Sequence, residues 1–276
     1  MPSTPQFHVS KVSSSYWNVT FSNGPINLMD VDTIEQLADL VNRMEQAPDL
    51  TVVVFRSDNP DFFMAHFDFL ADKSRIAAMK PGPTGLHPYS DNFIRLGRVP
   101  AVTISALKGR TRGAGSEFAL ATDIRFAGHR AILGQFEVGV GAVPGGNATG
   151  HLGRLVGRGR AMEILLGADD FPAELAAEYG YVNRVLPEDE LDDFVDAFAR
   201  RIAGFDKVAV AGTKALIDES IPIPDEEFGS ALSTYFQTVG RPVNEHRVRR
   251  LFEGGLQKPD GIELDLGKQV AESNRS

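Results

Sequence analysis

Two glutamates beside glycine-rich turns are the residues of this chain that could carry acid–base chemistry. Glu117 follows residues 109–115, where a predicted strand becomes a predicted helix, and Glu137 lies in the loop segment 133–139. Backbone N–H groups at the start of a helix are unpaired and lie at the positive end of its dipole, so they suit a developing oxyanion. Two carboxylates that converge on one pocket could hold a water molecule and exchange protons with a substrate.

Each of these features also has a purely structural interpretation, and the residues alone leave it open. A carboxylate in the first turn of a helix stabilises that helix in any protein, which would explain Glu117. A tight turn between a strand and a helix needs small residues for packing alone, and Glu137 could simply be solvated. Glycines are nevertheless concentrated here, with 11 in residues 109–153 against 27 in the whole chain, so we predict the site in this stretch.

Other chemistries have less support. The chain has no cysteine, which excludes disulfides, thiol nucleophiles and iron–sulfur ligation. Residues 139–145 lack the spacing of a dinucleotide-binding fingerprint, no P-loop is present, and Ser116 does not lie in a Gly-x-Ser-x-Gly motif. Five histidines are scattered without metal-ligand spacing, so we predict no metal site: His8, His87, His129, His151 and His246.

The composition is that of an ordinary globular protein. Hydrophobic residues make up 42% and charged residues 24% of the 276 positions, enough for a sizeable core and too apolar for disorder. The net charge of −9, without any Lys/Arg-dense segment, disfavours nucleic-acid binding. No apolar run approaches the roughly 18 residues that cross a bilayer, and the N-terminus lacks a signal-peptide pattern. We therefore predict a cytoplasmic protein with no membrane or nucleic-acid partner.

Hydrophobic patterning predicts an α/β protein from the N-terminus onward. Residues 7–12 and 17–21 alternate as the two strands of a hairpin. A helix follows, and Asp32 with Glu35 predicts a capping box at its start. Residues 51–55 form a short, continuously apolar run that is typical of a strand buried on both faces of a sheet.

The second half of the chain is predicted to be increasingly helical. A further unit comprises a strand at 101–107, a helix at 116–122 and a strand at 123–126. The later predicted elements are helices at 159–166, 172–179, 189–203 and 207–219, a strand at 181–185, and two helices within 224–256. We predict an α/β core in residues 1–200, and a helical oligomerisation region with a polar tail of low order in residues 201–276.

Six short blocks, taken in order, resemble the crotonase superfamily, the enoyl-CoA hydratase/isomerase group. The resemblance covers roughly residues 7–217, and its specificity lies in the joint order of the blocks, since each one alone is modest. The blocks are PINL at 25–28, FMAHFD at 63–68, GAGSE at 113–117, GQFE at 134–137, VPGG at 143–146 and the segment 173–185.

The resemblance implies an α/β crotonase-like spiral of ββα repeats with a helical C-terminal trimerisation region, assembled as a homotrimer or a dimer of trimers. It implies no cofactor, with coenzyme A entering only as part of an acyl-CoA thioester substrate. It also implies an oxyanion hole made by the backbone N–H groups of Phe67 and Ala114, with Glu117 and Glu137 as catalytic residues. The substrate-binding residues that it implies are Ala65, His66, Asp68, Gly113 and Gly145.

The chain departs from the family pattern around the first oxyanion block. His66 replaces a glycine, and we expect it to hold a left-handed backbone, which histidine tolerates better than most residues. Phe67 has an aromatic ring where the family commonly has a small residue, which predicts a reshaped acyl pocket. Asp61, Phe69 and Leu70 occupy places where hydratases often have basic residues near the nucleotide phosphates, which predicts a weaker hold on CoA.

The function that the resemblance implies is the addition of water to a 2-enoyl-CoA, or its removal from a 3-hydroxyacyl-CoA. One alternative is an isomerase or carbon–carbon hydrolase of the same fold that acts on a β-dicarbonyl or non-CoA substrate. Another is a non-catalytic or RNA-binding member, which the acidic charge balance and the two glutamates disfavour.

Overall fold

Two sheets and the helices that cover them form an α/β architecture, as the hydrophobic pattern predicts. The computed structural model describes residues 4–274, so the first three residues and the last two of the predicted tail lie outside the described part. The strands are β1 Phe7–Lys11, β2 Tyr16–Phe21, β3 Val52–Ser57, β4 Phe62–Met64, β5 Val102–Leu107, β6 Arg110–Arg112, β7 Ile124–Gly128, β8 Ile132–Gly134, β9 Asp170–Pro172 and β10 Arg184–Leu186.

The helices follow the strands on both halves of the chain. They are α1 Val31–Glu45, α2 Lys73–Ala78, α3 Pro88–Arg98, α4 Ala114–Ala121, α5 Ala148–Leu155, α6 Arg158–Gly167, α7 Ala173–Tyr179, α8 Leu191–Ala203, α9 Lys207–Ser220, α10 Asp225–Thr238, α11 Pro242–Glu253 and α12 Leu266–Ser273, with a short 3-10 helix at Ile262–Asp265. None of the helices in residues 4–274 combines the length and hydropathy that crossing a bilayer requires.

The larger sheet has the strand order β1-β2-β3-β5-β7-β10. Strands β1 and β2 pair antiparallel, with Phe7 opposite Phe21, which confirms the predicted hairpin. The remaining neighbours pair parallel. Helices pack on the faces of a parallel sheet, and this explains why the side chains of Val52 to Phe55 on β3 are all buried.

Helix α1 begins with a capping box two residues earlier than predicted. Asp30 is the N-cap: its carboxylate accepts from the Thr33 N–H at 2.8 Å, and Thr33 Oγ1 accepts from the Asp30 N–H at 2.9 Å. Asp32 and Glu35 instead face outward and pair with Arg75. The prediction was wrong in position because threonine can replace glutamate as the residue that accepts from the N-cap N–H. The sequence pattern does not show which of the two residue pairs forms the capping box.

The smaller sheet consists of very short strands in the order β4-β6-β8-β9. Strand β6 lies inside the predicted glycine turn, between Gly109 and Gly113, which both have positive φ angles of 66° and 49°. Gly109 is also needed for a close approach, because a Cβ there would lie 2.1 Å from the Asp61 carbonyl oxygen. Three-residue strands leave no periodicity in a sequence, so this sheet was not predicted.

Residues 262–273 are helical and packed, contrary to the predicted low order of the tail. The 3-10 helix and α12 bury Glu263, Leu266 and Val270. Leu266 and Val270, one helical turn apart, join a hydrophobic cluster with Phe136 and other residues. Two apolar side chains in a polar stretch therefore suffice to dock the tail, because they lie on one face of a helix.

Candidate active site

The structure brings Glu117 and Glu137 close together, and both side chains are buried. Glu117 lies in the first turn of α4, which follows β6, and Glu137 follows β8. Strands β6 and β8 are parallel neighbours, with Arg112 paired to Gly134, so the chain leaves both at the same edge of the small sheet. A Cβ at Gly113 would lie 2.7 Å from Glu137 Oε1, which shows how closely that carboxylate approaches the start of α4.

Glu117 has hydrogen-bond donors on both carboxylate oxygens. The Tyr89 hydroxyl donates to Oε2 at 2.6 Å, and the Gly146 N–H donates to Oε1 at 2.6 Å. A Cβ at Gly146 would lie 2.5 Å from Oε2, so only glycine lets this backbone come so close. Donors that point at a carboxylate favour its ionised form.

Glu137 has the opposite environment. Its Oε2 is buried and has no hydrogen-bond partner in the part of the chain that the structure describes. Burial and the charge of Glu117 raise the pKa of Glu137 to about 8. Burial also raises the pKa of Glu117, although the bonds from Tyr89, Gly146 and Ala148 counteract it. The two groups titrate as a pair, and the donors on Glu117, together with the missing partner of Glu137 Oε2 in the described chain, favour Glu137 as the site of the proton.

The two predicted oxyanion donors lie on adjacent segments. Phe67 forms an isolated parallel β-bridge with Met29, in which Met29 N–H donates to His66 and Asp68 N–H donates to Met29. The Phe67 N–H itself has no backbone or side-chain acceptor within residues 4–274. The Ala114 N–H also precedes the first intrahelical bond of α4, which runs from Glu117 to Gly113.

Strand pairing places these two N–H groups near each other. Strands β4 and β6 run parallel, with Met64 paired to Thr111, so the residues after each strand leave the sheet on the same side. A Cβ at Gly113 would lie 3.6 Å from the His66 Cβ, and a Cβ at Gly115 would lie 2.1 Å from the Met64 carbonyl oxygen. The glycines of the GAGSE block therefore allow the start of α4 to pack directly on the Phe67 segment.

His66 does not have the predicted left-handed backbone. The non-glycine residues with positive φ in residues 4–274 are Asn27, Asn147, Ala168 and Gln257. The chain at His66 instead runs extended beside Met29, which requires no positive φ. The imidazole is buried, with Nδ1 at 2.8 Å from the Phe67 carbonyl oxygen and Nε2 at 3.0 Å from Glu263 Oε1.

The other predicted substrate-binding residues surround the same loop. Ala65 is fully buried and donates its N–H to Asn27. Asp68 Oδ1 accepts from Leu70 N–H at 2.8 Å and from Gln257 Nε2 at 2.6 Å. Gly145 lies beneath α10, where its Cβ would come 3.2 Å from the Tyr235 ring.

Aromatic side chains that the sequence did not single out line the pocket. The Phe67 ring lies edge-on to Tyr89 at 6.0 Å, and Tyr89 packs on Phe93 at 4.9 Å. Burial and the charges of Glu137 and Glu117 raise the pKa of Tyr235 to about 12, so this phenol lies within the field of both carboxylates. Tyr89 was missed because it belongs to none of the family blocks, and its helix, α3, was not predicted.

Helix α10 covers the pocket. A cavity of about 480 Å³ opens between α10 and the start of α3 and is lined by Leu86, Ser90 and Leu232 among others, but not by the glutamates. Leu232, which lines this cavity, and Tyr235 both lie over Gly145.

The remaining histidines stay apart from the two carboxylates. His87 accepts from the Tyr89 N–H at the start of α3, His129 pairs with Glu174, and His151 packs on Phe228. No group of three His, Cys, Asp or Glu side chains with metal-binding geometry occurs in residues 4–274.

Comparison with known proteins agrees with this architecture. The family model for enoyl-CoA hydratase/isomerase matches residues 11–236. The crotonyl-CoA hydratase of Syntrophomonas wolfei is 31% identical over 234 residues, covering 80% of this chain and 88% of that protein. The short-chain-enoyl-CoA hydratase of Clostridium acetobutylicum is 30% identical over 219 residues, covering 76% and 82%.

Structural comparison extends the match to nearly the whole chain. A crystal structure from Streptomyces avermitilis has a TM-score of 0.92 and 38% sequence identity, and covers 98% of each chain. The resemblance of the ordered blocks is thereby confirmed, as is the assignment to a class of enzymes. The chain belongs to the enoyl-CoA hydratase/isomerase family of the crotonase superfamily.

Proposed function

We propose that this enzyme adds water to the double bond of a 2-enoyl-CoA thioester, or removes water from the corresponding 3-hydroxyacyl-CoA. The observation that carries the proposal is the buried pair Glu117 and Glu137, one carboxylate held by two donors and the other buried with its Oε2 unpartnered in the described chain and its pKa raised to about 8. Relatives named as hydratases, at about 30% identity, support it. Coenzyme A takes part only as the carrier of the acyl group, and the reaction needs no further cofactor.

The unengaged N–H groups of Phe67 and Ala114 supply the electrostatic part of the proposed mechanism. A 2-enoyl thioester becomes electrophilic at its β-carbon when negative charge can accumulate on the thioester oxygen. Two backbone donors aimed at that oxygen stabilise the charge without reorganising, and one such donor typically contributes about 2.7–4 kcal/mol to the transition state.

The two glutamates divide the proton transfers. Glu117, ionised and fixed by Tyr89 and Gly146, removes a proton from water while the hydroxyl oxygen bonds to the β-carbon. Glu137, protonated, delivers its proton to the α-carbon as the enolate collapses. One hydroxyl and one proton have then been added to the substrate. The proton taken from water leaves the pair of glutamates with one proton again, now on Glu117.

A second candidate is a carbon–carbon hydrolase or isomerase acting on a β-dicarbonyl or non-CoA substrate. The observation that favours it is the charge before the first oxyanion block, where the exposed Asp61 lies 3.9 Å from Arg130. Like charge there would repel the phosphates of CoA. The same oxyanion donors and acid pair could serve that chemistry.

The test is incubation with crotonyl-CoA, followed by the loss of enoyl absorbance and by mass spectrometry of the product in isotopically labelled water. Hydration predicts one labelled oxygen in 3-hydroxybutyryl-CoA, and no reaction in the Glu117→Gln/Glu137→Gln variant. Cleavage of a β-dicarbonyl thioester by a wild-type enzyme that leaves crotonyl-CoA untouched would favour the second candidate instead.

The proposed assembly is a homotrimer or a dimer of trimers formed through the C-terminal helices. Helix α9 supports this, because none of its residues is buried within the described chain and it exposes Val208, Leu216 and Ile217. A contiguous apolar face of this kind commonly marks an interface. Sedimentation analysis of the wild type and of a Val208→Glu/Leu216→Glu variant tests it, and a monomeric wild type would contradict it.

A further inference from the structure

We propose that the chain's own C-terminal segment, residues 254–270, positions the Phe67 N–H through a buried pair between His66 and Glu263 and through Gln257. The inference rests on the proposed function, because it assigns a purpose to the oxyanion loop. His66 and Glu263 are 197 positions apart in the chain. Neither residue touches the reacting atoms in this proposal, so both are positioning residues.

The contacts of His66 lead directly to the oxyanion donor. Both ring nitrogens lie within hydrogen-bond distance of oxygen atoms, Nδ1 of the Phe67 carbonyl and Nε2 of the Glu263 carboxylate. The ring is wedged edge-on between Phe69 at 5.4 Å and Phe136 at 5.5 Å. His66 and Glu263 are both almost fully buried. The residue next to Phe67 is thus held by hydrogen bonds and packing at once.

Gln257 holds the other end of the same loop. Its Oε1 accepts from the Phe69 N–H at 2.9 Å, and its Nε2 donates to Asp68 Oδ1 at 2.6 Å. Its own N–H donates to Glu263 Oε1 at 2.7 Å, which joins Gln257 to the His66 pair. Residues 66, 68 and 69 are therefore all tied to the C-terminal segment, and Phe67 lies between these ties.

Glu263 also connects to the segment that carries the second donor. Its carbonyl oxygen accepts from Arg112 Nη1 at 2.8 Å, and Arg112 forms a two-pronged ion pair with Asp170 at 2.6 and 2.7 Å. Arg112 immediately precedes Gly113 and Ala114. Glu263 thereby contacts both His66, which precedes Phe67, and Arg112, which precedes Gly113 and Ala114. These contacts would fix the position of the two N–H groups relative to each other.

Two energetically unfavourable features of this arrangement, a buried charge and a positive φ angle, argue that it does more than pack the C-terminal segment. Glu263 is buried with its Oε2 unpartnered in the described part of the chain, and burying a charge is unfavourable even when it is paired. Gln257 has φ +64°, a conformation that favours glycine or asparagine. Unfavourable backbone and buried charge that persist together are typical of functional sites, where they hold a reacting group in place.

The experiment compares Glu263→Gln and Gln257→Gly with the wild type on crotonyl-CoA. Glu263→Gln keeps the shape and removes the charge, whereas Gln257→Gly removes the loop contacts and relieves the positive φ, so it should fold at least as well. We expect kcat to fall about 10- to 100-fold in each variant with KM within about threefold, since displacing a catalytic group by about 1 Å has effects of this size.

A binding readout separates the positioning role from the reaction itself. Bound 2,4-hexadienoyl-CoA absorbs at longer wavelength when its thioester oxygen is polarised, and a Glu117→Gln/Glu137→Gln background prevents its turnover. In that background we expect Glu263→Gln and Gln257→Gly to halve the shift or reduce it further. The matched control is Asp123→Asn, which weakens the partly buried ion pair between Asp123, just before β7, and Lys214 of α9, and should lower stability without changing the shift.

Three outcomes decide the inference. Wild-type kcat and an unchanged spectral shift in folded Glu263→Gln and Gln257→Gly would overturn it. Binding of the probe with no shift by the Glu117→Gln/Glu137→Gln protein that carries no further change would also overturn it. A reduced shift in these variants, together with no hydration by the wild type, would support the positioning role while rejecting the proposed reaction.

Discussion

The Tyr89 hydroxyl donates a hydrogen bond of 2.6 Å to Oε2 of Glu117, and both groups are buried. Burial and the neighbouring carboxylates raise the pKa of Tyr89 well above its ordinary value, so the phenol remains a donor at every working pH. The bond selectively stabilises the ionised form of Glu117. In the proposed mechanism, this bond therefore favours Glu117 as the base.

The first prediction concerns this bond. In Tyr89→Phe the Glu117 carboxylate loses a donor, so its pKa rises and the acid limb of the kcat/KM pH profile should move upward, with a fall in turnover of about 10-fold near neutral pH. Tyr235→Phe is the control, because that hydroxyl makes no hydrogen bond to Glu117 in the described chain. Equal profiles for Tyr89→Phe and Tyr235→Phe would contradict the assigned role.

The second prediction concerns turnover by the acid pair. Glu117→Gln and Glu137→Gln should each lower kcat by at least about 10²-fold, the usual contribution of general acid–base catalysis. The double variant should be little worse than either single one, because the two groups act as a unit. Stopped-flow hydration assays with far-UV circular dichroism as the folding control test this. Near-wild-type turnover in either single variant would remove that residue from the mechanism.

The third prediction links Glu137 to stability. Its pKa is raised from 4.5 to about 8, so the folded protein binds this proton more tightly than the unfolded chain. The free energy of unfolding therefore falls as pH rises between these values, and the loss is complete above the higher one. Because glutamine resembles the neutral acid, the stability of Glu137→Gln should match that of the wild type near pH 5 and exceed it near pH 9. Each kcal/mol of difference in the free energy of unfolding corresponds to roughly 2–4 °C in Tm.

Thermal unfolding across that pH range measures the effect. Glu245→Gln, which changes an exposed glutamate of α11, is the control and should follow the wild-type curve at every pH. If Glu137→Gln also follows the wild-type curve, Glu137 does not carry a raised pKa.

The fourth prediction concerns the nucleotide part of the substrate. With Asp61 exposed, and Phe69 and Leu70 where hydratases often have a basic residue, CoA esters should bind little better than pantetheine thioesters of the same acyl group. The affinity should also change little between about 50 and 200 mM salt, since few charge contacts would be screened. Parallel titrations of both thioesters decide this. A large preference for the CoA ester that salt weakens would reveal phosphate-binding cations elsewhere.

Long, strongly patterned elements could be predicted from the sequence because their signal is local. The hairpin of β1 and β2, the helix α1 and the buried strand β3 all occur within a few residues of their predicted bounds. The family blocks likewise pointed to Glu117 and Glu137, which the structure places close together, and to Phe67 and Ala114, whose proposed role as donors remains a prediction. These features depend on residues that are close in sequence, so side-chain periodicity and glycine spacing suffice to reveal them.

Tertiary structure alone decided how those residues differ in chemistry. Glu117 and Glu137 have the same side chain, but the first receives donors from Tyr89 and Gly146, whereas the second is buried without a partner for Oε2 among residues 4–274. The short strands β6 and β8 that bring them together leave no periodic signal. The expected left-handed His66 was wrong because its conformation is set by the distant strand partner Met29, and its ring by Glu263. Protonation and loop geometry depend on contacts across the fold, and those contacts exist only once the chain has folded.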